Sequence, residues 1–172
     1  AFRYFDANKE LLANAGFDGA VIRAWEEIGL LKEWAGEYSQ LKDLTLIMDY
    51  GIYTMNRAAE KMTAKMVSGF RHRLTLPVEL NSRELEDMGC RGGELIVYGR
   101  LPMMVTAQCM KKTVDSCKKK PELLFLRDRM GKEFPVKNHC RFCYNTIYNT
   151  APLILFPYRK ELEKMGIHAY RI

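Results

Sequence analysis

The chain has 172 residues, of which 48% are hydrophobic and 28% are charged, and this composition fits one ordinary globular domain. No apolar run approaches the length of a membrane-spanning helix, so we expect no membrane partner. The net charge of +6 is compatible with an RNA or an acidic ligand, although a solvated basic face is the simpler explanation.

Hydrophobic periodicity predicts an alternation of strands and helices along the chain. In chain order we expect a helix over 2–15, a strand over 17–24, a helix over 25–34, a strand over 44–50 and a helix over 56–67 capped by Asn56. We then expect a strand over 73–80, a short helix from Asn81 or Ser82 to about Gly89, and a strand over 93–98. A long loop with a tight turn at 128–131 comes next. After it we expect an apolar run over 151–156 that fits a helix or a strand, a helix over 157–165 and a strand over 167–172.

Short apolar strands that alternate with helices predict parallel pairing with the helices outside. A doubly wound sheet that binds dinucleotides usually shows a glycine-rich turn after its first strand, and this sequence has none. We therefore expect an α/β fold of the TIM-like barrel type, with a partial barrel of five to six parallel strands. Exposed strand edges would then be covered by the missing remainder of the barrel or by a homodimer partner.

Polar and aromatic residues follow the predicted strands, at the end where a barrel builds its active face. Glu79 is the candidate general base or metal-site carboxylate, and a salt bridge from Glu79 to Arg23 or Arg100 is an equally good interpretation. The candidate pocket residues are Asp49, Asn56, Asn81, Tyr98 and Arg100, and Tyr50 lies at the same strand end as Asp49.

Four of the five cysteines fall between residues 109 and 143, as the pairs Cys109/Cys117 and Cys140/Cys143. Four thiolates around one metal ion or one iron–sulfur cluster would hold so long a loop in place. Two disulfides, or four free thiols in a reducing cytoplasm, are the alternatives, and nothing indicates secretion. Zinc and a 4Fe-4S cluster look the same at this stage. Lysines concentrate positive charge around the first pair, at 111, 112, 118, 119 and 120.

Several sequence blocks fall in one order: PVELNSREL at 77–85, ELIVYGRLPMM at 94–104, LRDR at 126–129, FP at 134–135 and NTAPL at 149–153. Together with Cys109, Cys117 and Cys140–Arg141, and with Asp49, Tyr50 and Asn56 upstream, this order resembles peptidase family U-thirty-two, the collagenase-like peptidases. The resemblance runs from about residue 17 onward. It implies a bacterial or archaeal protein with a barrel-like core, of which residues 1–172 would be a single domain and the C-terminal part of a longer chain.

The resemblance implies a peptidase that acts on peptides or proteins in the cytoplasm. As an alternative it implies a protein that binds a four-iron cluster and assists oxygen-independent hydroxylation of RNA or a quinone precursor. Cys109, Cys117 and Cys140 match the cysteine positions of the family. Relatives often carry their fourth cysteine farther downstream, so the fourth ligand is either Cys143 or a cysteine beyond residue 172. A non-catalytic binding module with a structural zinc ion is the third hypothesis.

Overall fold

The computed structural model describes residues 7–114 and 117–172, and the first part of the helix expected over 2–15 lies outside these ranges. The chain forms two compact units. Unit 1 contains residues 7–96 and 158–171, and unit 2 contains Ile172 and residues 97–157 apart from 115–116.

Unit 1 begins with strands and helices in alternation. The elements are α1 (Lys9–Ala13), β1 (Gly19–Ile22), α2 (Trp25–Glu37), β2 (Thr45–Met48), α3 (Arg57–Met66), β3 (Arg71–Leu74), α4 (Ser82–Met88) and β4 (Glu94–Ile96). The C-terminal segment adds α6 (Arg159–Lys164) and β11 (Ala169–Arg171). Short 3₁₀ turns occupy Ser39–Asp43 and Tyr50–Ile52.

The strands of unit 1 pair in parallel, in the order β1-β2-β3 and in a separate pair β4-β11. One parallel bridge joins Thr75, just after β3, to Glu94 at the start of β4. The core lies on one face of the three-stranded sheet, where Ile22, Leu46 and Met48 pack with residues of the helices. Parallel neighbours need a crossover connection, and the helices supply it while they cover this face.

The helix ends of unit 1 follow local capping chemistry. The side-chain oxygen of Asn56 accepts the backbone N–H of Ala59 at the start of α3. The α4 helix opens with a capping box, in which Asn81 accepts the N–H of Glu84 and the Glu84 carboxylate accepts the N–H of Asn81. It ends at Gly89, whose positive φ of 101° is the left-handed conformation that favours glycine.

Unit 2 is built on an antiparallel sheet. Its elements are β5 (Tyr98–Gly99), β6 (Pro102–Thr106), α5 (Met110–Val114), β7 (Leu123–Arg127), β8 (Glu133–His139), β9 (Tyr144–Tyr148) and β10 (Leu153–Ile154). Four of the strands form a sheet in the order β6-β9-β8-β7, and β5 pairs with β10.

Two tight turns connect β7, β8 and β9. In the turn at 128–131 the Asp128 carboxylate accepts the N–H groups of Met130 at 2.8 Å and Lys132 at 2.9 Å, and Gly131 takes a positive φ of 77°. This confirms the tight turn expected there. The second turn joins β8 to β9 through Cys140–Cys143.

The expectation of a TIM-like barrel with five to six parallel strands is wrong. Within 7–114 and 117–172 no sheet closes, and the parallel strands form one group of three and one pair. Residues 97–157 pair antiparallel through short turns, which leave no room for the helical crossovers that a parallel barrel requires. The expectation of a long cysteine loop is also wrong, since α5, β7 and β8 occupy about half of the segment 109–143.

No helix in the described ranges has both the length and the apolar character that a bilayer crossing demands.

Candidate metal centre

All four clustered cysteines belong to unit 2 and carry free thiols. Cys109 is buried at the entrance to α5, and Cys117 is exposed in the segment before β7. Cys140 is half-buried and Cys143 exposed, at the two ends of the turn between β8 and β9. The two cysteine pairs therefore come from opposite ends of the 109–143 segment.

Cys140 lies within electrostatic reach of the other three thiols. Partial burial raises the pKa of the Cys140 thiol, and the neighbouring Cys117, Cys109 and Cys143 raise it further. The ammonium group of Lys111 opposes them and lowers it. Sulfur groups that repel one another as thiolates form a natural place for a cation.

The backbone around the exposed thiols adopts turn geometry that presents sulfur atoms. Cys143 takes a positive φ of 56°, and its Sγ lies 3.8 Å from the Cys140 carbonyl oxygen. The Lys119 N–H donates to the Cys117 Sγ at 3.4 Å, and Lys119 has a positive φ of 54°. Backbone groups therefore contact both exposed sulfur atoms.

The donor set fits zinc or an iron–sulfur cluster by its chemistry, because both prefer thiolate ligands. In the part of the chain that the structure describes, no three His, Cys, Asp or Glu side chains are near enough to hold one ion together. The four sulfur atoms therefore lie in one region of unit 2, but they do not surround a common point.

Basic and aromatic side chains surround the thiols. Lys111 forms an ion pair with Glu122, and this hydrogen bond raises the pKa of the Lys111 amine. The His139 ring stacks on Tyr144 with the ring centroids 4.2 Å apart. The Arg141 guanidinium lies 5.5 Å from the centroid of the exposed Phe142 ring. This surface offers positive charge and π-faces beside the sulfur atoms.

Some of the residues that follow the predicted strands lie near one another in unit 1. The pKa of the Tyr50 phenol is raised by partial burial and by the neighbouring Asp49 carboxylate, while Arg23 lowers it and Glu79 raises it. The Arg23 Nε lies 3.7 Å from the Asp49 carboxylate. The structure therefore brings Arg23, Asp49, Tyr50 and Glu79 into one neighbourhood.

Sequence reasoning missed the cation at the centre of this neighbourhood. The Arg171 guanidinium donates to Asp49 at 2.5 Å and to the Thr75 hydroxyl at 2.8 Å, and it pairs with Glu94 at 2.6 Å. Thr75 in turn donates to Glu94 at 3.1 Å. The only signal in the sequence was an arginine in the last predicted strand, and nothing local connects it to Asp49.

The remaining predicted pocket residues have other contacts. Asn56 and Asn81 use their side chains as the helix caps described above. Tyr98 and Arg100 lie in unit 2, where the Tyr98 ring is 6.3 Å from that of Phe156. Arg100 donates to the carbonyl oxygens of Asn149 and Thr150, and so it fastens the segment between β9 and β10.

Unit 1 also contains an apolar cavity of about 390 Å³, which the sequence did not suggest. It lies between the helices and β1, where Leu12, Leu30, Trp34, Leu41 and Val21 contribute to its walls. The fifth thiol, Cys90, is buried in unit 1, and burial raises its pKa.

Comparison of the chain with family models, with curated proteins and with solved structures gives no match.

Proposed function

We propose that unit 2 binds one zinc ion or one iron–sulfur cluster through Cys109, Cys117, Cys140 and Cys143. The observation that supports this most directly is that Cys140 lies within electrostatic reach of Cys117, Cys109 and Cys143. Metal binding would bring the four sulfur atoms closer to a common centre, because coordination to a cation offsets the repulsion between thiolates.

The surroundings of the thiols support the same proposal. The Lys119 N–H contacts the Cys117 sulfur, and the Lys111 ammonium opposes the rise in the pKa of the Cys140 thiol. The turn at 140–143 presents two sulfur atoms from one short segment. When bound, zinc would supply a structural cross-link or a Lewis acid, and a four-iron cluster would supply electrons. With the cluster, the resemblance to family U-thirty-two points to hydroxylation of RNA or a quinone precursor, and the basic and aromatic surface suits such anionic or planar substrates.

Elemental analysis of anaerobically purified protein tests the proposal. We expect either one zinc or four iron atoms per chain in the parent, and loss of most of the metal in Cys117→Ser. Limited proteolysis should then cut the variant faster within 109–143, because metal binding no longer orders that segment. Cys90→Ser is the matched control, since this thiol lies in unit 1 and contacts the Met165 carbonyl instead. A metal-free parent, or equal losses in both variants, contradicts the proposal.

A second candidate function is the peptidase activity that the family resemblance implies. The observation that favours it is the position of Glu79, an exposed carboxylate whose field reaches the Tyr50 phenol at the strand ends. A carboxylate there would act as the general base that activates a water molecule. We expect the parent to hydrolyse gelatin and Glu79→Gln to lose at least about a hundredfold in rate. Glu86→Gln, an exposed carboxylate change on α4, should keep the parent rate. No gelatin hydrolysis by the parent excludes this candidate.

We further propose that the outer edges of β1, β6 and β7 are covered by more of the same chain or by a second copy. These strands are the outermost members of their sheets, and unpaired edges promote association. The partner acted upon is a peptide or protein in the peptidase case and an RNA in the cluster case. The five free thiols support a reducing, cytoplasmic location.

A further inference from the structure

A polar row crosses the four-stranded sheet of unit 2 next to the thiols. Thr106 on β6 pairs with Asn145 on β9, and Asn145 pairs with Asn138 on β8. The Asn138 N–H approaches the Glu122 carbonyl at 3.5 Å, just before β7. Directly paired residues in an antiparallel sheet project to the same face, so Thr106, Asn145, Asn138 and Glu122 share one side of the sheet.

The two asparagines of this row form a relay that ends beside Cys109. Asn138 Nδ2 donates to Asn145 Oδ1 at 2.6 Å, and Asn145 Nδ2 donates to the Gln108 carbonyl at 2.8 Å. Asn138 is 3% exposed and Asn145 is fully buried. Because Asn138 occupies the oxygen of Asn145, the amide of Asn145 must turn its N–H groups toward Gln108.

The same segment is fastened at further points. The Thr106 hydroxyl accepts the Gln108 N–H at 3.2 Å, and the Thr113 hydroxyl donates to the Cys109 carbonyl at 3.1 Å. The ion pair between Lys111 and Glu122 ties the segment to the far end of the row. Residues 108–111 therefore lie across the polar row, with Cys109 between their two attachments.

This arrangement has an energetic cost that a core of apolar side chains would avoid. The Asn138 Oδ1 is buried, and it has no hydrogen-bond partner among the side chains that the structure describes. A buried acceptor without a donor is unfavourable, whereas two apolar residues of similar volume would pack at this row without it. A polar pair of this kind is useful where it fixes the direction of a neighbouring group.

We infer that Asn145 is a positioning residue for the thiol site, which holds Cys109 in place through the Gln108 carbonyl, and that Asn138 sets the orientation of the Asn145 amide. The inference rests on the proposed metal site. Outer groups that orient a ligand commonly change metal affinity by about 10- to 100-fold when they are removed.

The test uses Asn145→Asp, which keeps the shape of the side chain and replaces the donor toward Gln108 by an acceptor. Cobalt(II) is the probe, and its thiolate-to-cobalt absorption reports the number of sulfur ligands. We expect the variant to bind cobalt at least about tenfold more weakly, with reduced thiolate absorption. Asn149→Asp makes the same change a few residues away, outside the relay, and should match the parent.

A second measurement uses the metal-free protein. In Asn145→Asp, iodoacetamide should alkylate Cys109 several times faster than in the parent. Cys90, the other buried thiol, should keep its rate, because a general loss of folding would expose it as well. Should Asn145→Asp fail to fold, Asn145→Ser removes the same donor and is judged by the same criteria. Unchanged cobalt binding together with unchanged Cys109 alkylation overturns the inference and leaves the metal site standing. A parent that binds no cobalt contradicts the metal site, and Cys109 alkylation then still decides whether Asn145 positions the thiol.

Discussion

Each unit contains a row of polar residues that runs from strand to strand and includes a cation, but the two rows differ in how completely their members are paired. In unit 1, Arg171 satisfies Asp49, Thr75 and Glu94 at once, so every charge has a near partner. In unit 2, Lys111 pairs with Glu122 while the Asn138 oxygen is buried without a donor.

The difference separates a row that links strands of the fold from a row that lies beside the proposed metal site. A guanidinium with three partners links β11 to the ends of β2 and β3, and it leaves little capacity for a ligand. The relay in unit 2 ends instead on the backbone beside a thiol, and it retains an unmatched acceptor. The strongest candidate site therefore lies in the sheet with the less complete set of hydrogen bonds.

The largest expected effect comes from Arg171→Met. This change leaves the Asp49 and Glu94 carboxylates without their common cation in a mostly buried place, and it should lower the free energy of unfolding by about 2–3 kcal/mol. Urea denaturation followed by tryptophan fluorescence measures the change in unit 1, because both tryptophans of the chain, Trp25 and Trp34, lie there.

Arg159→Met provides the control for this experiment. Arg159 also pairs with a glutamate in the C-terminal segment of unit 1, but its ion pair with Glu163 lies on the surface, where such pairs contribute about 0–1 kcal/mol. If the two variants lose the same stability, the Arg171 row does not hold unit 1 together and the contrast between the units fails.

The sequence predicted unit 1 better than unit 2 because the signals in unit 1 are local. Each signal lies within one or two turns of the element that it defines. The signals are the apolar runs, the helix caps Asn56 and Asn81, and the helix stop at Gly89. The network around Arg171 escaped prediction, since 122 residues separate Arg171 from Asp49 and only the assembled sheet brings them together.

In unit 2 the usual pattern is reversed, and this explains the missed strands. Asn138 and Asn145 are buried, while Leu123 and Phe125 on β7 are more than half exposed. A reading that places apolar residues inside and polar residues outside cannot recognise such strands. The spacing of the cysteines also predicts that the thiols come together, and this prediction depends on sulfur chemistry and not on periodicity.

The smallest effect expected here concerns Asn81, which was predicted to line a pocket and which the structure places as the cap of α4. Asn81→Ala removes the acceptor for the Glu84 N–H and should cost about 1 kcal/mol in the same urea measurement. Asn81→Asp keeps an oxygen at that position and should retain nearly all of the stability. If the rate of gelatin hydrolysis falls in both variants while only the alanine variant loses stability, Asn81 has a binding role beyond the cap. An equal rate of gelatin hydrolysis in both variants gives Asn81 a structural role only. This result strengthens the contrast between the paired row in unit 1 and the proposed site in unit 2.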